Sequence, residues 1–298
     1  MHLPIQRIIF SGATVQAGIF RCLPACPLFH DSGPIKRHLV VFPRTSVSIT
    51  HAGSTPIVAD PNVVMFYNRG QRYRRGRLSE RGDLCDWYAF EPAIIAEALA
   101  PFDPAVAERP QEPFALTHGP SDAAVYMQQR RILQDLLGGS APDSLYVEEA
   151  LLHVLGQIVA RAYRTRGQPA GPAASAAGAV GALVYDLKSL LALRFTSQLS
   201  LQQAASALHC SPFHLCRIFR RTTGSTIHAY LNQLRLRSAL ELVAQSSTDL
   251  TTLGIELGFS SHSHFTREFR RAFGVVPSAF RRTASARRVR ELSKIMIA

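Results

Sequence analysis

Two stretches of this chain repeat one another: LSLQQAASALHCSPFHLCRIFRRTTG and TDLTTLGIELGFSSHSHFTREFRRAFG. In each, a short apolar helix leads through a tight turn into a second helix. A serine opens that second helix (Ser211, Ser261) and a glycine stops it (Gly224, Gly274). Arg217, Phe219, Arg220 and Arg221 in the first copy parallel Arg267, Phe269, Arg270 and Arg271 in the second. Each copy therefore reads as a helix-turn-helix, a unit whose second helix can enter a major groove. Between the copies, STIHAYLNQLRLRSALELVAQS (225–246) predicts one long helix. About twenty residues at ~1.5 Å each span roughly 30 Å, and neighbouring major-groove faces of B-DNA recur every ~34 Å. One chain could set both second helices into adjacent groove segments.

The stretch SSHSHFTREFRRAFG shows how such a helix divides its surface. Phe265, Phe269 and Phe273 recur every four residues and share one face. The rest of the surface carries His262, Ser263, Thr266, Arg267, Arg270 and Arg271 against a single acid, Glu268. A simple solvated face would mix the two signs of charge, so this one suits phosphates and base edges.

Charge distribution agrees. The 298 residues carry a net charge of +12, and +10 of it lies in the last 121 residues, from Gly178 onward. That asymmetry points to a nucleic acid, with an anionic membrane the weaker choice because core packing claims the aromatics of the basic helices. No apolar run reaches membrane-spanning length, and the N-terminal residues lack the order of a signal peptide, so a cytoplasmic location and no membrane partner are expected. The five cysteines are then read as reduced thiols.

RGQPAGPAASAAG, at the point where the charge balance changes, reads as a linker over 166–178. Before it, HLVVF (38–42), SVSIT (46–50) and NVVMFY (62–67) are strand-like runs between turn residues, within a strand-rich region from about Ile35 to Phe90. They suggest a small β-barrel or sandwich. From Pro92 the pattern turns helical, with helices predicted over 122–137 and 144–164. On the second, Leu145, Leu151, Leu152, Leu155, Ile158 and Val159 form one apolar stripe, fit either for dimerisation or for packing onto the barrel. After the linker the chain reads as helix throughout, beginning with 179–195. The expected fold is α+β in two domains: 1–165, a small β-barrel with flanking helices; 166–178, the linker; 179–283, an all-α double helix-turn-helix; and 284–298, a basic tail.

SPFHLCRIFRRTTGSTIHAYLNQLRLRSALELV and IELGFSSHSHFTREFRRAFGVVPSAFRR, with Gly258-Phe259 inside the second, resemble the DNA-binding domain of the AraC/XylS family of bacterial transcription regulators. The resemblance covers residues 200–282 and implies seven helices carrying two helix-turn-helix units. It also implies a cupin-like sensing and dimerisation domain in the N-terminal part, where the likeness rests on the order of elements.

Carried onto this sequence, the family pattern makes Phe213, Cys216 and Arg217 base-reading candidates in the first unit. In the second they are His262, Ser263, Thr266 and Arg267. Arginine suits the O6 and N7 edge of guanine, and Phe213 suits a thymine methyl. A phosphate contact is the competing role for Arg217 and Arg267. Ser211, Arg220, Arg221, Ser261, Arg270 and Arg271 are assigned to phosphates, a solubilising surface being the alternative for the arginines. His214 and His264 are expected to pack the turn or meet phosphate. Leu215, Ile218, Phe219, Leu257, Phe269 and Phe273 are expected in the core. The run RRTASARRVR (281–290) reads as a basic tail adding non-specific attraction.

In the N-terminal part, Cys22, Cys26 and His30 are spaced C-x3-C-x3-H, which is not a common zinc pattern, and Pro24 and Pro27 break any helix aligning them. A thiol- or metal-responsive sensor using Cys22, Cys26 or Cys85 is the alternative reading of function. A cupin enzyme lacks its His-x-His pair, and Tyr73 stands where a histidine is needed. Phe66, Tyr67, Tyr73, Trp87 and Tyr88 are candidates to line a pocket for an organic effector, or are ordinary core aromatics. No catalytic residues, metal or cofactor are expected. The sequence thus reads as a DNA-binding transcription regulator, more an activator than a repressor and a homodimer. Its expected partners are double-stranded promoter DNA, RNA polymerase and an unidentified small-molecule effector.

Overall fold

The protein is described from a computed structural model over residues 5–31, 33–138, 143–166, 174–245 and 247–284. The described residues divide into two compact units, one on each side of 167–173.

The first unit contains β1 (Ile5–Ser11), β2 (Val15–Cys22), β3 (Leu39–Pro43), β4 (Val47–His51), β5 (Ile57–Ala59), β6 (Val63–Tyr67), β7 (Tyr73–Arg77) and β8 (Asp83–Phe90). Helix α1 (Pro92–Leu99), a 3-10 turn at Pro104–Glu108, β9 (His118–Pro120), α2 (Ala123–Leu137) and α3 (Ser144–Arg166) follow. One antiparallel sheet runs β1-β2-β8-β3-β6-β9 and the other β5-β4-β7. Their inner faces share one core built on Val41, Val47, Ile49, Met65, Tyr67, Tyr73 and Trp87. Among the described residues no ladder joins the ends of one sheet to the other, so the closed barrel expected from the sequence is instead a pair of open sheets. β1 is a free edge, with Ile8 56% exposed.

The central strands are buried on both faces, because α2 and α3 cover the outer face of the larger sheet. Period-two alternation along β8 sends Cys85, Trp87 and Ala89 inward between the sheets and turns Asp86 and Tyr88 to the helices. Tyr88 donates to Gln129 Oε1 at 2.8 Å, and Arg130 donates to Asp86 at 2.7 Å. Leu151, Leu155, Ile158 and Val159 of α3 are buried, so this stripe packs on the sheet. Leu145 departs from it at 73% exposed. Near the start of α3, Glu148 accepts hydrogen bonds from the backbone nitrogen and hydroxyl of Thr14, which clasps the β1-β2 turn to the helix.

The second unit is helical: α4 (Ala174–Arg194), α5 (Leu201–Ala207), α6 (Pro212–Thr223), α7 (Ile227–Gln245), α8 (Leu250–Glu256) and α9 (His262–Phe273), with 277–284 also helical. α4 begins five residues before the expected 179, because an alanine-rich run propagates a helix as readily as it serves a linker. Residues 167–173 of the expected linker, and 285–298 of the expected tail, lie outside the described residues. The start of the basic run is helix, with Arg281 donating to the Val243 carbonyl at 3.2 Å.

α7 is buried on nearly every side and packs against α6 as well as α8 and α9. It supplies Tyr230, Leu231 and Leu234 to the core around the first repeat, and Leu240 and Val243 are also buried. Its buried surface also takes in polar side chains, Asn232, Arg235, Arg237 and Glu241 among them.

Candidate nucleic-acid interface

α6 and α9 are built alike. The Ser211 hydroxyl accepts from the His214 backbone nitrogen at 3.2 Å, and that of Ser261 from His264 at 3.1 Å. Gly224 (φ 70°) and Gly274 (φ 74°) end the two helices in the left-handed conformation. Leu215, Ile218 and Phe219 bury one face of α6, and Phe265, Phe269 and Phe273 bury that of α9. Core packing thus fixes which way the remaining residues point.

On α6 that leaves Phe213, Cys216, Arg217, Arg220 and Arg221 exposed, Phe213 at 77%. On α9, His262, Ser263, Arg267, Arg270 and Arg271 are exposed and Thr266 is half-buried. His262, Ser263, Thr266 and the three arginines line one open groove of about 590 Å3 with Val276. The base-reading candidates of the second repeat are therefore together on one surface with Arg270 and Arg271. Ser211 and Ser261 accept through oxygen as caps, which leaves each hydroxyl proton to donate elsewhere.

His264, behind this surface, has a packing role. His264 Nδ1 lies 2.9 Å from the Ser260 hydroxyl, and its ring meets Phe259 edge-on at 5.6 Å. Sequence reasoning did not single out Glu268. It is buried beside Arg271 and Arg267, at 2.5 and 3.6 Å. A signal was available, since Glu268 stands where the first repeat has the core residue Ile218.

In the first unit the five aromatic candidates do not share a space. Tyr67, Tyr73 and Trp87 lie between the sheets, with Tyr67 and Tyr73 rings 5.0 Å apart. Alternation places Phe66 and Tyr88 on the opposite face, where Phe66 stacks on Phe114 at 5.1 Å and Tyr88 meets Phe42 at 5.9 Å. The inter-sheet core also holds charge that went unnoticed in the sequence. Arg75 donates to Asp83 at 2.5 Å and to the Tyr73 hydroxyl, while its guanidinium lies 4.7 Å from the Phe20 ring centre. Burial pushes Asp83 upward, and the Arg75 charge pulls it back. Arg75 sits two residues after Tyr73 on β7, so strand periodicity alone would have turned it inward.

Cys22, Cys26 and Cys85 are buried free thiols. Burial, reinforced by a hydrogen bond with Cys26, pushes the Cys22 thiol up to about 12, and burial raises Cys85 as well. His30 is engaged elsewhere, its Nδ1 lying 3.0 Å from the Arg75 carbonyl. Among the described residues no three His, Cys, Asp or Glu side chains are grouped to hold a metal, and no helix is long and apolar enough to cross a membrane.

A helix-turn-helix domain family matches residues 204–283, the span that contains both capped helices. This span is a helix-turn-helix domain. Its similarity extends to named regulators. The chain is 32% identical over 106 residues to the regulatory protein PocR of Salmonella typhimurium, covering 34% of this chain and 35% of that one. It is 29% identical over 161 residues to the transcriptional activator RhaS of Pectobacterium carotovorum, covering 54% of each. The chain thus spans between a third and about half of the length of these relatives. A crystal structure of an AraC-type transcriptional regulator from Chromobacterium violaceum is 27% identical, covers 36% of this chain and 96% of its own, and has a TM-score of 0.34.

Proposed function

We propose that the chain is a sequence-specific, promoter-binding transcription regulator that reads DNA through α6 and α9. The observation that carries this reading is the matched presentation of two capped helices in one compact unit. Each buries an apolar face and exposes arginines at equivalent positions, Arg217, Arg220 and Arg221 against Arg267, Arg270 and Arg271. Phe213, Cys216 and Arg217, with His262, Ser263, Thr266 and Arg267, read bases, while the later arginines and the cap serines hold phosphates. The first unit, two sheets with helices on one outer face, serves as a cupin-like sensing and dimerisation domain. Its small-molecule effector or its partner protomer biases how the second unit meets a promoter. The chain acts on RNA polymerase as a cytoplasmic homodimer, and activation is supported by the similarity to the transcriptional activator RhaS.

The test is binding of the full-length protein to DNA upstream of its own gene, against random competitor at two salt concentrations. Tight binding that resists competitor and is weakened by both Arg217→Ala and Arg267→Ala supports the reading. Binding that never rises above a salt-sensitive background refutes it for that promoter.

A further inference from the structure

The two repeats differ at one buried position. Where α6 places Ile218 in the core at 3% exposed, α9 places Glu268 at 6%. The first copy shows that this scaffold accepts an aliphatic side chain there, so the carboxylate is not demanded by the fold. Replacing a buried ion pair by an apolar side chain is often neutral or stabilising, which makes retention of the charge informative. Glu268 is also too enclosed to meet a base edge itself. What it does touch is the basic surface. Oε2 accepts from Arg271 at 2.5 Å, and Oε1 lies 3.6 Å from Arg267 Nε. One carboxylate therefore hydrogen-bonds one guanidinium group of the α9 groove and lies within ion-pair distance of a second. The nearest approach to Arg267 is at Nε, so the carboxylate does not take up its two terminal nitrogens, the fork that matches guanine O6 and N7. α6 has no acid along its length, and its arginines have no ion-pair partner among the described residues.

We propose that Glu268 is a positioning residue that sharpens base discrimination by α9, the helix of the pair that carries a buried acid. It orients Arg267 and Arg271 before DNA arrives, and it cancels one positive charge that would otherwise favour any phosphate backbone. This rests on the reading of α6 and α9 as DNA-contacting helices.

The experiment uses the full-length protein, a duplex selected by it from a random pool, and unselected duplex. Affinity for each is measured across a salt series for wild type, Glu268→Gln, Glu268→Ile and Glu268→Asp. Glu268→Gln keeps the shape, and Glu268→Ile copies the first repeat, so a folded variant without the charge is available. Without the charge, affinity for unselected DNA rises and its salt slope steepens by about 0.9, the value of one further phosphate contact. The ratio of selected to unselected affinity falls about tenfold, as for loss of a bidentate base contact. Glu268→Asp restores the slope, because the charge is back, but not the ratio, because the shorter side chain misplaces the guanidinium groups. An unchanged ratio and slope, with only thermal stability altered, overturns the proposal and leaves the DNA reading intact. A wild-type protein that selects no sequence overturns both.

Discussion

A Cβ placed on Gly258 would stand 2.8 Å from the guanidinium carbon of Arg235. It would be equally close to the Thr196 carbonyl, and the Gly258 backbone already has φ +86°. Arg235, on α7, uses that space to donate from Nε to the Phe195 carbonyl at 2.6 Å and from a terminal nitrogen to that of Ser197 at 2.9 Å. It thereby pins the chain before α5 against the turn before α9. Gly258→Ala should therefore destabilise the helical unit by about 2–4 kcal/mol, strain and overlap together. Urea unfolding followed by circular dichroism measures this; a loss below half a kcal/mol would show that the brace relaxes freely.

Arg220 and Arg270 sit at matching places near the ends of α6 and α9. As phosphate contacts, each changed to alanine should weaken binding to every sequence alike and flatten the salt slope by about 0.9. Base-specific effects from either would reassign it. Fluorescence anisotropy on selected and random duplexes separates the two outcomes.

Asp86 is fully buried and receives the Arg130 guanidinium at 2.7 Å, with Arg44 at 3.5 Å. Arg130→Met removes the closer cation that ties α2 to β8. The expected cost is about 3–5 kcal/mol in the stability of the first unit, as for breaking a buried pair from one side. Asp86→Asn with Arg130→Met should recover part of that cost, because the fully buried carboxylate is then uncharged and Arg44 is the one charge of the three that remains. Differential scanning calorimetry of the single and double variants reads both.

His51 is buried, its Nδ1 lies 2.9 Å from the Gln71 amide nitrogen, and burial lowers its pKa. His38, which accepts from the Arg69 nitrogen at 3.2 Å, is lowered for the same reason. Both are held neutral in the fold, so the unfolded chain binds more protons once pH drops below about 6.5. Stability of the first unit should be present above that pH and fall as pH is lowered toward 5. His51→Gln should make the dependence shallower. A flat profile in the native protein would contradict the assignment.

For Cys22 the sign is reversed, since the fold favours its neutral thiol up to about 12. The unfolded thiol ionises near pH 8.5, so this contribution is present below that pH and is lost as pH climbs toward 12. In the folded protein at pH 7.5, Cys216, exposed on α6, should react with a maleimide, while Cys22, Cys26 and Cys85 stay unmodified. Peptide mapping after labelling counts them. Rapid labelling of Cys22 would revive the thiol-sensor reading.

The helical unit was largely legible because its signals are local. Capping serines, terminal glycines and four-residue phenylalanine spacing each lie within one helix. The first unit was less so. β1 and β2 went unread, although Val15 and Ala17 of β2 are buried while Ile5 and Ile8 of the edge strand are exposed. Closure of the sheets depends on pairing across long sequence distances, which strand-by-strand reading cannot supply. The aromatic candidates failed as a set because Phe66 and Tyr67, or Trp87 and Tyr88, are neighbours in sequence and opposite in space.

α7 exists in one copy between two repeats and is covered by both. A gene shortened to either repeat would encode a helix with one flank stripped to water, Tyr230 and Leu234 on one side or Val243 on the other. The repeats can diverge residue by residue, as Ile218 and Glu268 have, but descent has to carry them together.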